Sequence, residues 1–272
     1  MAAKRKTIDS PSFEAGITPV GEIPSHLAML VYGRAGTGKT AFSSTFPKPL
    51  LLLDIQEKGT ETISMTKDVF VRSIEHWEEL EQGYWYLKNG EQRFQSVVID
   101  QISQLQALAM NKIKTDNSME PTDTFSKRDW GQLSGLLQTW LMNYRNLWDR
   151  YHVCFVAHER SNVGEEEIED QINPNIGARV MPSLQGFLNG AVSAIGNTFI
   201  RERFLDAGQG KKTRQVEYCM RLGPHAYYTT KARKPIESEI EVPDVIVNPS
   251  FEKIMAISRG EEIQRKKVKR SE

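Results

Sequence analysis

The sequence predicts an α/β protein: a doubly wound, mainly parallel sheet with an antiparallel extension late in the chain. Three observations predict it. Short runs rich in Val, Leu and Ile recur between residues 27 and 158, stretches with apolar residues three and four apart separate them, and beyond residue 190 strand-like runs succeed one another.

The runs are LAMLVYG (27–33), PLLLLD (49–54), DVFVR (68–72), SVVID (96–100) and HVCFVAH (152–158). Such continuous apolar runs suit strands buried on both faces, as parallel strands between two helical layers are. The clearest helical pattern carries Trp130, Leu133, Leu137, Trp140, Leu141, Tyr144 and Trp148, and its aromatics read as core, not as a stacking platform for bases. A second pattern, Ile102, Leu105, Leu108, Ala109 and Ile113, comes directly after the fourth run. Between the two, TDNSMEPTDTFS (115–126) is rich in turn formers and reads as a surface loop. Past an acidic block (165–170) come the strand candidates AVSAIGNTFI, QVEYCMRL and AYYTTKA, the last two expected to pair antiparallel, and then a short helical stretch at 251–258.

The chain divides into three segments. Residues 1–26, rich in Ser, Pro, Gly and charge, form an expected flexible arm; 27–258 form the folded domain; 259–272, with RKKVKR at 265–270, form a basic tail too charged to pack. At 272 residues, 39% hydrophobic and 26% charged, the chain has the composition of a globular protein. The 35 basic residues balance 35 acidic ones, so total charge gives no argument for nucleic acid. No run reaches the ~18 apolar residues of a membrane span. The basic start lacks the apolar stretch of a secretory signal, so a cytoplasmic protein without a membrane partner is expected. Cys154 and Cys219 lie in apolar runs without a CxxC neighbour and read as buried free thiols. His26, His76, His152 and His225 show no metal-like spacing.

GRAGTGKT (33–40) matches G-x-x-x-x-G-K-[ST] in full, with a strand before it and a helix after it. Chance gives that pattern in roughly one chain of this length in a hundred, before the context is counted. The motif makes Gly33, Arg34, Ala35, Gly36, Thr37, Gly38, Lys39, Thr40 and Ala41 the expected cradle for the phosphates of ATP. Lys39 would reach the β and γ phosphates, and the Thr40 hydroxyl would join the shell of Mg²⁺.

SVVID delivers Asp100 about sixty residues later, where a second carboxylate holds the metal through water in P-loop NTPases. Gln101 comes next, where many helicase-like and AAA+ ATPases carry a catalytic glutamate, so the base must come from elsewhere. Beyond the second run lie Asp54, Glu57 and Glu61, of which Glu57 is the candidate for activating water, although Asp54 or Glu61 is placed to reach as well. His158 ends the fifth run and is the candidate sensor of the γ-phosphate; a strand-end histidine with a purely structural role is the alternative.

Together the P-loop, LLLLDI, SVVID and FVAHE resemble the phage-encoded RecA-like ATPases, the group that includes Sak-type single-strand annealing proteins, over about residues 27–234. The resemblance implies a RecA-like P-loop NTPase fold and a role in DNA recombination or replication. It implies ATP-dependent binding of single-stranded DNA, annealing or strand exchange, and a homo-oligomer, ring or filament. It also implies work in the cytoplasm of a bacterial host, with a single-strand-binding protein among the expected partners. By the same resemblance Lys231 and Arg233 are candidates to touch a neighbouring protomer's γ-phosphate; two apart on a strand, they would share one face, and a solvated basic edge is the alternative. The DNA-binding loop would be 160–179, with Arg160 and Arg179, although its block EEEIED repels phosphate. Arg265, Lys266 and Lys267 of the tail, like Lys4 to Lys6 of the arm, would add non-specific phosphate contacts. Two other functions fit a P-loop: a nucleotide-switched partner module without DNA-stimulated hydrolysis, and a small-molecule kinase, for which no arginine-rich lid is evident.

Overall fold

The computed structural model describes residues 17–23, 26–161, 176–206 and 212–263. The arm is described only in part, with one 3₁₀ turn at Val20–Glu22, and Arg265, Lys266, Lys267 and the acidic block lie outside the described residues.

Five predicted runs become five parallel strands: β1 (Ala28–Gly33), β2 (Leu50–Ile55), β3 (Val69–Ile74), β4 (Ser96–Asp100) and β5 (His152–Ser161). A sixth, β7 (Ala194–Asp206), pairs parallel with β1 on the side away from β5. With β8 (Lys212–Arg221) and β10 (Val245–Val247) beyond β7, the order across the sheet is β10-β8-β7-β1-β5-β4-β2-β3, so β5 is inserted between the P-loop strand and the strand bearing Asp100.

Period-two alternation gives each central strand two apolar faces. Leu30, Tyr32, Val97, Ile99, Val153 and Phe155 pack on one side with α2 (Trp77–Asn89), α3 (Ile102–Asp116), α4 (Lys127–Arg145) and α5 (Pro182–Ala191). Met29, Val31, Val98, Cys154 and Val156 pack on the other with α1 (Lys39–Ser43) and α6 (Phe251–Arg259). Helices therefore cover both faces, which is why the strands read as unbroken apolar runs. Both cysteines are buried free thiols.

The α4 pattern is mostly core, with two corrections. Leu133, Leu137, Leu141 and Tyr144 are buried, but Trp130, in the first turn beyond the Ser126–Asp129 capping box, is 42% exposed, and Trp148 falls in a 3₁₀ turn after the helix ends. The antiparallel extension also differs from expectation. β8 (Lys212–Arg221) pairs antiparallel with β7 and with β10 (Val245–Val247), whereas the AYYTTKA run yields only the two-residue β9 (Lys231–Ala232), paired with the start of β7 instead of β8. Strand periodicity identified both runs, but partner choice depends on the long β7–β8 ladder. β6 (Ile176–Ala178), antiparallel to the end of β5, was not foreseen.

At the edge opposite the P-loop, His152 Nδ1 accepts the Leu27 N–H at 2.9 Å, and burial, with His26 beside it, lowers the ring's pKa to about 4. This histidine is a neutral acceptor joining β1 to β5. Among the described residues no helix is long and apolar enough to cross a membrane.

Candidate nucleotide site

The carboxyl ends of β1, β5, β4 and β2 form one edge, and register sets what meets there. Gly33 lies opposite His158, and Asp54 opposite Asp100. Residues 33–40 wrap over this edge. Arg34, Ala35, Gly36 and Ala41 are exposed around a buried Thr37 and Lys39, and Gly38 adopts φ +86°, which a side chain rarely tolerates. A Cβ at Gly33 would overlap the Thr198 hydroxyl, so the loop begins at a close approach of β7.

Lys39 is 8% exposed, its Nζ donating to the carbonyls of Gly33 (3.1 Å) and Arg34 (2.9 Å). Burial lowers its pKa, against the opposing pull of Asp100, Glu57 and Glu159. The Thr40 hydroxyl donates to Asp100 Oδ2 at 2.9 Å. Asp100 is 5% exposed; burial raises its pKa to about 6, held there by the Thr40 hydroxyl and Lys39, while Glu57 and Asp54 push it further up. A buried carboxylate and a hydroxyl in contact beside the loop are the oxygen donors a hard cation requires, so the residues fit Mg²⁺ held with phosphate oxygens.

The second carboxylate is sorted from its neighbours by geometry. Asp54 Oδ1 accepts the backbone N–H groups of Glu57 and Lys58 at 3.1 Å each, which makes it a loop former, and Glu61 lies in an exposed 3₁₀ turn. Glu57 turns inward: Gln101 Nε2 donates to its Oε2, and its Oε1 is 3.3 Å from His158 Nε2. Gln101 Nε2 is also 2.6 Å from His158 Nε2, and its own Oε1 is buried without a partner among the described residues. Burial and then Lys39 lower the His158 pKa, while the Glu57 carboxylate facing its Nε2 pulls it back up. Gln101, noted in the sequence only for not being acidic, is the hub of this cluster.

The backbone of His158 ties it to α3 and to the residues after β6. Its N–H donates to Ser103 Oγ (3.0 Å) and its carbonyl accepts from Arg179 N (2.7 Å). Arg160 and Arg179 are exposed and line a cavity of about 850 Å³ next to the cluster, together with Ser103, Trp130, Glu159 and Met181. Arg34 of the loop approaches Glu159 at 3.5 Å, and Glu159 accepts from Asn197, which accepts from Arg221. Glu159 closes the FVAHE run, whereas no local motif marks Asn197.

Lys231 and Arg233 do share a side, as their spacing implies, but it faces away from this chain's own P-loop. Lys231 lies opposite Ile195, three residues or about 10 Å below Thr198 along β7. Its Nζ donates to Asn189 O (2.6 Å), and Arg233 donates to Gly190 O (3.3 Å), so the two cap the carboxyl end of α5, where cations are stabilised by the helix dipole.

A family model for AAA domains (AAA_24) matches residues 25–233. The chain belongs to this AAA domain family. Its mainly parallel sheet with a late antiparallel part is that of RecA-like P-loop NTPases, and nucleotide binding is the family-level property. Among solved structures, the RadB recombinase is 13% identical with a TM-score of 0.37, the match covering 70% of this chain and 86% of that one. The flagellar accessory protein FlaH from Methanocaldococcus jannaschii is 9% identical with a TM-score of 0.36, covering 85% and 88%. Likenesses this distant add no functional argument. No curated protein matches the sequence.

Proposed function

We propose that this AAA domain protein hydrolyses ATP with Mg²⁺ and couples that hydrolysis to single-stranded DNA, as a recombination protein that promotes annealing or strand exchange. The observation that carries hydrolysis is the convergence of Lys39, Thr40, Asp100, Glu57, Gln101 and His158 on one sheet edge from four separate strand ends. Mg²⁺ supplies charge neutralisation for the phosphates, and Thr40 and Asp100 would hold it. Lys39 leaves its two loop carbonyls for the phosphate oxygens. Glu57 takes a proton from the attacking water as the water oxygen bonds the γ-phosphorus and the bond to the bridging oxygen of ADP breaks. Gln101 Oε1, buried and unpartnered among the described residues, is the second acceptor for that water. His158 reads the state of Glu57 and, through Arg179, passes it to the cavity beside it.

DNA coupling is supported by that cavity's chemistry. Two arginines and a part-exposed tryptophan in its lining suit a phosphate backbone and a stacked base, and about 850 Å³ suits a nucleotide-sized occupant. The test is ATP turnover with and without single-stranded DNA at low and moderate salt, alongside direct DNA binding. We expect salt-sensitive binding and stimulated turnover, with an Arg160→Ala/Arg179→Ala double variant losing the stimulation, about tenfold of DNA affinity and part of the salt slope, but keeping MgATP affinity. DNA binding and stimulation unchanged in that variant would overturn the assignment.

One observation favours a second reading. Glu57 is bonded to Gln101 and His158 instead of standing free, as a nucleotide-switched module with slow hydrolysis would hold it. Tight MgATP binding with turnover no faster than in buffer, with or without DNA, is the outcome that would select it.

A further inference from the structure

The hydrolytic groups all lie on one side of the P-loop strand. Asp100, Glu57, Gln101 and His158 come from β4, the β2 end and β5, and β5 borders β1 on that side. A nucleoside triphosphate whose γ-phosphate faces these groups extends its ribose and base the other way, across β1 towards β7 and β8.

There β7 and β8 continue past the end of β1 as a two-stranded ribbon, Thr198 being level with Gly33. Its root is fastened to the loop by the Thr37 and Thr198 hydroxyls, 2.7 Å apart. On the loop-facing side, Ile200 pairs with Tyr218, and Val216 lies two residues further along β8. Tyr218 rests against the loop: its ring carbons Cδ1, Cε1 and Cγ lie 3.1, 3.6 and 3.8 Å from where a Cβ on Gly38 would stand. Yet Tyr218 is 46% exposed, beside Ile200 at 43% and Val216 at 44%. None of the three belongs to either hydrophobic core. Glu202 stands opposite Val216 and pairs with Arg214, which is itself opposite the exposed Phe204, so among the described residues the face turns polar from Glu202 outward except for that phenylalanine. The opposite face is charged, with Arg201 and Arg203 on Glu217. The apolar part is therefore three half-exposed side chains that begin at the phosphate loop, far short of the roughly 800 Å² per partner of a stable protein interface.

We propose that this ribbon is the base-binding half of the nucleotide site, with the Tyr218 ring stacking on the nucleobase and Ile200 and Val216 flanking it. This rests on the nucleotide reading of the P-loop. It gives Tyr218 two tasks: holding Gly38 from outside and presenting a π face to the base. It also makes the ribbon respond to nucleotide, because its root and its ring both touch the loop.

The test compares MgATP with magnesium tripolyphosphate, which has the phosphates and no base, by calorimetry on the full chain. Tyr218→Ala is expected to weaken MgATP about tenfold more than it weakens tripolyphosphate, whose loss reports only the support of Gly38. Tyr218→Trp is expected to keep MgATP affinity and to change fluorescence, relative to the wild type, with MgATP only; it carries the test if the alanine variant does not fold. Equal weakening of both ligands, or of neither, would overturn the stacking role, and equal weakening with a fall in mass in solution would give the strip to a second copy of the chain. Wild-type protein that binds both ligands equally tightly removes the base shelf alone, whereas wild-type protein that binds neither removes the nucleotide reading with it.

Discussion

On the β4–β5 side of the phosphate loop the polar groups are already bonded to one another: Thr40 to Asp100, Glu57 to Gln101 and His158, Lys39 to the loop's own carbonyls. On the β7–β8 side an aromatic ring and two aliphatic side chains stand half exposed among the described residues. A ligand entering the first side must exchange internal hydrogen bonds for its own, so its net gain there depends on charge. On the second side it covers apolar surface and displaces only water, so the gain scales with area and is indifferent to pH. The comparison teaches that affinity and chemistry are separable here: the first side decides what happens to the γ-phosphate, the second how tightly the rest of the nucleotide is held.

The largest expected effect comes from the residue that serves the charged side alone. Lys39→Ala removes the only lysine within the loop and is expected to abolish measurable MgATP binding or turnover while leaving the fold intact, as circular dichroism and thermal melting would show. Unchanged turnover in this variant would contradict the whole site.

A smaller effect sharpens the contrast through pH. The Asp100 pKa is raised to about 6 in the fold from an ordinary value of 3.8. The folded state therefore holds an extra proton between those values, and its stability rises as pH falls from 6 towards 4. Above pH 6 the buried charge costs about 3 kcal/mol. Asp100→Asn should accordingly melt higher than the wild type at pH 7.5 and match it near pH 4. Magnesium-dependent nucleotide binding should run the other way, weakening about tenfold per pH unit below 6 in the wild type and losing that dependence in Asp100→Asn. Equal melting temperatures at pH 7.5 would show that Asp100 is not carrying an uncompensated charge. Tyr218, on the uncharged side, should contribute a share of the affinity that does not change with pH.

Legibility in the sequence shows the same divide. The P-loop, Asp100 and the strands that deliver them are local patterns, so their positions and the strand-helix alternation could be read directly. Glu57 was chosen among three acids without a means to separate them; the structure separates them because Asp54 is consumed in forming the turn and Glu61 faces outward. Gln101 and Tyr218 were not legible as site residues, since the first matters through contacts with residues 44 and 57 positions away and the second through a ribbon whose register no local pattern fixes. Trp130 was misassigned to the core because helical spacing marks a face and not how far along the helix the packing extends. Lys231 and Arg233 were correctly placed on one side, but what lies there, the end of α5, is a tertiary fact.

The most direct test of the central claim is turnover of Glu57→Gln against wild type, with MgATP affinity measured on the same samples. If Glu57 takes the proton from water, affinity stays within about twofold and turnover falls roughly 100-fold or more. A variant that binds and turns over ATP like the wild type would contradict the account.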